Sequence, residues 1–152
     1  MPNALRIMVV DDEPSGRFLL EHRLRRAFKD CSVVACTMAS DALSMLRASC
    51  FDAIITDNEL GWESGSEFIT QVRHRGVMCP IIMVTSSDDP KVERAAYTAG
   101  ATKVFMAGRG DFPEFLRHLL SRASAESGFE QTADGLTSAE SAAGSALATR
   151  RD

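Results

Sequence analysis

Five short apolar runs divide the first 122 residues of the chain, and each is only five or six residues long. They are apolar on both faces and rich in Val, Ile and Met, which is typical of parallel strands buried from both sides. A sheet of such strands needs helices to cover it, so this pattern constrains the fold before any other property is considered. The runs are Leu5–Val10, Ser32–Cys36, Phe51–Thr56, Pro80–Thr85 and Thr102–Met106.

Apolar residues between these runs recur at the spacing of a helix face. We expect the second helix to begin with Ser40 as its N-cap and the fourth to end at Gly100. The fifth should begin with Asp111 as its cap, three residues before Glu114. This alternation predicts an α/β protein with a parallel sheet and helices on both faces. In such open sheets the functional site lies at the carboxyl ends of the strands.

The composition changes near residue 122. Residues 123–152 contain eight alanines, five serines and three glycines, but only three large apolar residues. So few apolar side chains bury too little surface to offset the chain entropy that is lost on folding. We therefore predict one folded domain over 1–122 and an Ala/Ser-rich, disordered tail over 123–152.

Charge and cysteine content exclude several classes of protein. The chain carries 17 basic and 21 acidic side chains, so its net charge of −4 does not attract phosphate backbones, and nucleic-acid binding is not expected. No apolar stretch approaches the ~18 residues of a membrane span, so no membrane association is expected. The four cysteines form no C-x-x-C pair, which favours reduced thiols in a cytoplasmic protein over disulfides or a zinc site.

Acidic and hydroxyl side chains follow three of the apolar runs. Asp11 and Asp12 come after the first run, Asp57 comes after the third, and Thr85 ends the fourth. Carboxylates that converge in one crevice repel one another and raise one another's pKa unless a cation neutralises them. A hard divalent ion, Mg²⁺, suits such an all-oxygen site. Solvated loop acids are the alternative interpretation for any one of these residues, and a poorer one for three acids beside a hydroxyl.

The segments that carry these residues resemble the successive motifs of response-regulator receiver domains. They read VVDDEP, IITDNELGWESG, IIMVTSS and AGATKVF. The resemblance covers about residues 4–121 and includes Gly65, eight residues after Asp57, where the family has its loop glycine. It implies a flavodoxin-like, doubly wound sheet of five parallel strands in the order 2-1-3-4-5, with helices on both faces.

The resemblance also implies a role for each residue at the strand ends. Asp57 would be the phosphoacceptor, and Thr85 would bind a phosphoryl oxygen as the switch hydroxyl. Asp12 and Asp57 would bind Mg²⁺ directly, and Asp11 mainly through water. The Glu59 carbonyl oxygen would complete the protein ligands. Phosphoryl transfer needs in-line positioning and a cation on the equatorial oxygens, and this set of residues suits both needs.

The chain departs from the family pattern near the end of the fifth run. Ala107, followed by Gly108, stands where the family has a lysine and usually a proline. Arg109 in the same loop is a candidate replacement for that lysine, and an exposed loop charge is the alternative. Val104 stands at the family's aromatic switch position, while the neighbouring Phe105 points to the opposite face of the strand.

We therefore predict a single-domain response regulator in a phosphorelay. It would accept a phosphoryl group on Asp57 from a histidine kinase or a phosphotransfer protein. Because no output domain is expected after residue 122, it would signal through a downstream protein partner. It is not expected to be an enzyme, apart from catalysing its own phosphorylation and dephosphorylation.

Two other functions stay open. The missing lysine at Ala107 favours a pseudo-receiver, which would bind partners independently of phosphorylation. A metal-dependent phosphohydrolase on a related sheet is the third interpretation. It would require a second acid or base near the nucleophile, which the sequence Asp57-Asn58-Glu59 matches only loosely.

Overall fold

The structure is a computed structural model that describes residues 4–126, over which strands and helices alternate. The strands are β1 (Leu5–Val10), β2 (Cys31–Cys36), β3 (Ala53–Thr56), β4 (Glu59–Leu60), β5 (Glu63–Ser64), β6 (Ile81–Thr85) and β7 (Lys103–Met106). The helices are α1 (Pro14–Ala27), α2 (Ala39–Ala48), α3 (Gly65–His74), α4 (Pro90–Ala99) and α5 (112–126). The chain divides after Glu114 into two units, so that all of these strands and α1 to α4 belong to the first.

Five of the strands form one sheet in the order β2-β1-β3-β6-β7. Every pairing in this sheet is parallel. The two-residue strands β4 and β5 pair only with each other, as an antiparallel hairpin. Counted along the chain without that hairpin, the strands of the sheet stand in the order 2-1-3-4-5, which confirms the predicted doubly wound α/β fold.

The central strands of the sheet form the core. Every residue of β3 and β6 is buried, and so are the last four residues of β1. One face of the sheet, with Met8, Ile54 and Ile81, packs against buried residues of α2, α3 and α4. Helix α1, which buries Leu20 and Leu24, lies outside that cluster and contacts β1 and β2. Burial on both faces explains why these strands appear in the sequence as continuous apolar runs.

Two of the three predicted helix ends are confirmed. Gly100 ends α4 with a left-handed φ of 115°, and the Asp111 carboxylate accepts the Glu114 N–H at 3.1 Å. The prediction that Ser40 caps α2 is wrong, because the helix already begins at Ala39, after Met38. Ala39 is buried in the core, so tertiary packing sets the start of this helix in place of a side-chain cap.

The segment after β3 has a local structure that the apolar pattern does not predict. Strands β4 and β5 pair around Gly61, whose φ is 77°. Ser64 then begins α3 with a capping box. Its hydroxyl accepts the Glu67 N–H at 3.1 Å, and the Glu67 carboxylate accepts the Ser64 N–H at 2.8 Å. These bonds fix the loop between Asp57 and α3.

Helix α5 continues to residue 126, past the predicted domain boundary at residue 122. From residue 127 onward, the predicted disordered tail lies outside the described residues. Among the helices of residues 4–126, none has the length and apolar content that crossing a bilayer requires.

Gly65 allows α3 to begin directly against the end of β3. Its N–H donates to the Asn58 carbonyl oxygen at 2.6 Å. A Cβ at this position would overlap the Asp57 carbonyl oxygen and would lie 2.8 Å from Met83 Cε. Glycine is therefore required here by the close approach of two backbone segments.

We expect Gly65→Ala to lower the free energy of unfolding by about 2–3 kcal/mol, because the Asp57 backbone is fixed by β3 and cannot move away from the added methyl group. Urea unfolding followed by circular dichroism measures the change. Gly76→Ala is the matched control, since its Cβ would meet nothing within 4 Å. Its φ of 81° alone should cost about 1 kcal/mol. Equal stability of the two variants would contradict this explanation.

Candidate functional site

Three aspartates meet at the carboxyl edge of the sheet. Because β1 and β3 pair with Val10 opposite Thr56, the residues that follow each strand come together. The Asp57 N–H donates to the Val10 carbonyl oxygen at 3.0 Å. Carboxylate oxygens of Asp11, Asp12 and Asp57 all lie within 4.8 Å of one another. The structure thus brings together the three acids that the sequence analysis placed in one crevice.

Asp57 carries an unusually basic carboxylate. Its pKa is raised from the ordinary value near 3.8 to about 6, mainly because the carboxylate is buried and in smaller part because of the charges of Asp11 and Glu59. Backbone N–H groups of Asn58 and Glu59 oppose this shift in pKa, and the Asn58 N–H donates to Asp57 Oδ1 at 2.7 Å. At neutral pH the group is mostly ionised, but its charge is held in a partly desolvated position.

Asp11 is the more buried of the other two acids. Burial is the main cause of its raised pKa, and the Asp12 charge adds to it. Asp11 Oδ1 accepts the Glu13 N–H at 2.9 Å, which holds the carboxylate over the start of α1. Gly16 leaves room for this carboxylate, because a Cβ at residue 16 would lie only 2.5 Å from Asp11 Oδ2.

Arg17 is the basic residue that acts on Asp11. Its Nη1 donates to the Asp11 carbonyl oxygen at 2.9 Å, and its charge lowers the pKa of the Asp11 carboxyl, although less than burial raises it. Neither Gly16 nor Arg17 was predicted from the sequence to belong to the site. For Gly16 the sequence did contain a signal: glycine lowers helix stability, so a glycine in the first turn of a predicted helix indicates that close packing requires it.

The three-acid cluster fits a hard divalent cation. All of its donors are carboxylate oxygens, which Mg²⁺ prefers, and such a cation would remove their mutual repulsion. Glu59 lies two residues after Asp57 at the start of β4, and its side chain is exposed. Its predicted role concerns the backbone carbonyl oxygen, which would join the cluster from the hairpin.

Thr85 is the last residue of β6, on the strand that pairs with β3, and it is buried. Its Oγ1 accepts the Ser87 N–H at 3.1 Å, which fixes the hydroxyl oxygen at the carboxyl edge of the sheet. The Thr85 carbonyl oxygen accepts the Ala107 N–H at 2.7 Å. This bond holds residue 107, the position at which the resemblance to receiver domains implies a lysine, next to the end of β6.

A cavity of about 140 Å³ opens beside Asp57 and is lined in part by Ala107 and Gly108. Arg109 is exposed and does not line this cavity; its N–H bonds to the Met106 carbonyl oxygen at 3.0 Å. Of the two interpretations of Arg109, the structure favours the exposed loop charge over a replacement for lysine.

A family model described as the response regulator receiver domain matches residues 7–106. Over 100 residues the chain is 32% identical to the cyclic di-GMP phosphodiesterase response regulator RpfG of Xanthomonas campestris, covering 63% of this chain and 26% of RpfG. Over 84 residues it is 34% identical to the alkaline phosphatase synthesis transcriptional regulatory protein PhoP of Bacillus subtilis, covering 55% of this chain and 34% of PhoP. The chain thus spans about a quarter to a third of the length of these two relatives.

Solved structures show the same architecture. The chemotaxis response regulator CheY4 of Vibrio cholerae is 28% identical with a TM-score of 0.65, covering 78% of this chain and 98% of that one. A CheY-like receiver domain protein from Methanospirillum hungatei has a TM-score of 0.72 at 21% identity, covering 81% of this chain and 98% of that one. At that identity the second match shows a shared fold alone.

We expect Asp57→Asn to raise the free energy of unfolding of the metal-free protein near pH 7.5 by about 1–2 kcal/mol, less than the full pKa shift corresponds to, because solvent screens this partly exposed group. Burial disfavours the charged carboxylate, so its cost is absent below the unfolded pKa near 3.8 and grows as the pH rises through about 6. Chemical denaturation in EDTA at about pH 4 and pH 7.5 measures the difference between variant and wild type.

Asp30→Asn serves as the matched control, because Asp30 is exposed in the loop between α1 and β2. It should leave the unfolding free energy unchanged at both pH values. If Asp57→Asn gives the same gain at about pH 4 as at pH 7.5, burial of the charge is not what raises the pKa of Asp57.

Proposed function

Because the chain belongs to the response regulator receiver domain family, we propose that it is a phosphorylation-dependent signalling protein that accepts a phosphoryl group on Asp57. The observation that carries this proposal is the grouping of the Asp11, Asp12 and Asp57 carboxylates within 4.8 Å, at the carboxyl edge of a receiver fold. The phosphoryl donor is a histidine kinase or a phosphotransfer protein, and the signal passes to a downstream protein partner.

Asp57 is the nucleophile of the transfer. One oxygen of its ionised carboxylate attacks the phosphorus of a phosphohistidine. The new P–O bond forms as the P–N bond breaks, and the imidazole leaves with the nitrogen electron pair. The Asn58 N–H on Oδ1 fixes the orientation of the carboxylate for this attack.

The neighbouring acids hold the divalent cation. When bound, Mg²⁺ would neutralise the carboxylates and stabilise the charge on the phosphoryl oxygens. Asp12 and Asp57 are the proposed direct ligands, Asp11 acts mainly through water, and the Glu59 carbonyl oxygen completes the protein's contribution. Their grouping supports this assignment, since three carboxylates at this distance repel one another without a cation.

Thr85 is the proposed switch hydroxyl. Because its Oγ1 already accepts the Ser87 N–H, the hydroxyl proton remains for donation to a phosphoryl oxygen on Asp57. Phosphorylation would therefore draw Thr85 and the start of the following loop toward the site. That movement is the first step by which a partner protein could distinguish the two states.

The chain's own catalysis is limited to gaining and losing its phosphoryl group, and receiver domains are generally not enzymes in the usual sense. A reducing cytoplasmic compartment suits the four cysteines, which are all unpaired thiols in the structure. The pseudo-receiver function remains the second candidate, because Ala107 and the exposed Arg109 leave the site without a lysine.

Incubation with Mg²⁺ and acetyl phosphate should add one phosphoryl group to the full chain, detected by intact mass. We expect Asp57→Asn to abolish this gain, while the exposed Asp30→Asn leaves it unchanged. Omission of Mg²⁺ should reduce the gain strongly, since the cation stabilises the transferred charge. Absence of any gain in the wild type with every small phosphodonor would instead support the pseudo-receiver.

We expect Ala107→Lys to weaken Mg²⁺ binding and to stabilise the phosphorylated state. A lysine ammonium about 6 Å from the cation repels it. Screening at an open crevice reduces this repulsion to about 1 kcal/mol, which raises the Kd for Mg²⁺ about fivefold. The same ammonium would pair with a phosphoryl oxygen and so slow its loss. Calorimetric Mg²⁺ titration and the phosphoryl lifetime measure the two effects.

Ala95→Lys is the control for this substitution, because it adds the same charge at an exposed position of α4. It should leave both the Mg²⁺ affinity and the phosphoryl lifetime unchanged. An unaltered Mg²⁺ affinity in Ala107→Lys would show that residue 107 does not face the cation.

A further inference from the structure

The Asp57 carboxylate borders two different environments. On one side are Asp11 and Asp12, with Gly61 close to the Asp12 carboxylate. The cavity of about 140 Å³ is lined by Asp57 and Asp11 but not by Asp12. A ligand in this cavity therefore reaches Asp57 without occupying the Asp12 side of the cluster.

Much of the cavity wall is apolar. Leu19 and Leu20 of α1, Val84 of β6 and Ala107 contribute aliphatic surface. Leu20 and Val84 are buried, whereas Leu19 is 57% exposed, so the cavity opens to solvent beside Leu19. Gly108 adds no side chain, and Ala107 adds only a methyl group. This wall suits a short hydrocarbon chain.

The charged groups around the cavity are mainly acidic. Asp11, Glu13 and Asp57 line it, and Arg23 is the single basic residue in that lining. The Arg23 guanidinium is bound to the segment that follows β7. Its Nη2 donates to the Gly110 carbonyl oxygen at 3.2 Å, and the guanidinium carbon lies 4.5 Å from the centre of the Phe112 ring. The inner end of the cavity thus favours a cation.

We propose that this cavity binds a short primary alkylammonium ion. The ammonium group contacts the Asp57 and Asp11 carboxylates, and the carbon chain lies along Leu20, Val84 and Ala107. A cavity of about 140 Å³ is close to the ~150 Å³ that accommodates benzene in an engineered protein core, so a chain of about four carbons fits. This binding goes beyond the proposed phosphorylation and does not require it.

Titration of the metal-free, full-length chain with ethylammonium, propylammonium and butylammonium chloride tests the proposal. Chemical-shift changes at the Ala107 and Gly108 amides report binding, and each added methylene should tighten the Kd about fourfold. Butanol, which lacks the charge, and ammonium chloride, which lacks the chain, should bind far more weakly than butylammonium. Equal binding of either compound would overturn the proposal.

Substitutions at Ala107 test the location of the site. Ala107→Leu fills the cavity and should weaken butylammonium binding at least about tenfold, whereas Ala95→Leu, on the exposed face of α4, should not change it. Ala107→Val fills less of the space and should give an intermediate loss, which keeps the test available if the leucine variant does not fold. Unchanged binding in a folded Ala107 variant would overturn the assignment.

The amine titration contains no phosphodonor, so its result is independent of the phosphorylation assay. A chain that gains a phosphoryl group but shows no chain-length dependence in amine binding would overturn this inference alone. A chain that binds butylammonium as expected but never gains a phosphoryl group would overturn the proposed function alone.

Discussion

Burial of the Asp57 carboxylate at the end of β3 sets the electrostatic conditions for everything around it. The carboxylate is fixed there by backbone bonds, since the Asp57 N–H is bound to the Val10 carbonyl oxygen and the Asn58 N–H to Oδ1. Its pKa of about 6 shows that burial outweighs those favourable donors. The folded state therefore carries the cost of burying the Asp57 charge together with repulsion among the neighbouring acids, both of which a proton or a cation can reduce. Burial of apolar side chains in β3 and β6 stabilises the fold and offsets this electrostatic cost.

Small residues surround this site, but they act in two opposite ways. Gly65 and Gly16 permit close approach: one lets α3 begin against the Asp57 backbone, and the other leaves room for Asp11 Oδ2. Ala107 and Gly108 instead leave space, because together they border a cavity that neither fills. An added methyl group should therefore destabilise the protein at Gly65, whereas at residue 107 there is volume to receive a larger side chain.

The sheet and the acid cluster could be predicted from sequence because they depend on patterns that extend over whole elements. Runs buried on both faces indicated the strands of the sheet, and strand ends on one edge indicated where Asp11 and Asp57 meet. Features set by single tertiary contacts were not predictable. Helix α2 begins at Ala39 because that residue packs in the core, against the capping preference of Ser40. The Arg23 contact with Gly110 joins residues 87 positions apart, which no local pattern encodes.

The basic residues of α1 leave the charge of the acid cluster largely unneutralised. Arg17 and Arg23 both reach this edge of the sheet, yet each donates to a backbone carbonyl oxygen, that of Asp11 or of Gly110. Their main effect is to fix the loops that follow β1 and β7. Arg17 lowers the pKa of Asp11, but it is the smallest of the influences on that carboxyl. With alanine at residue 107, none of the described residues that line the cavity carries an ammonium group. A phosphoryl group on Asp57 would add further negative charge at the same place. A bound cation would therefore stabilise the phosphorylated protein more than it stabilises the unphosphorylated protein.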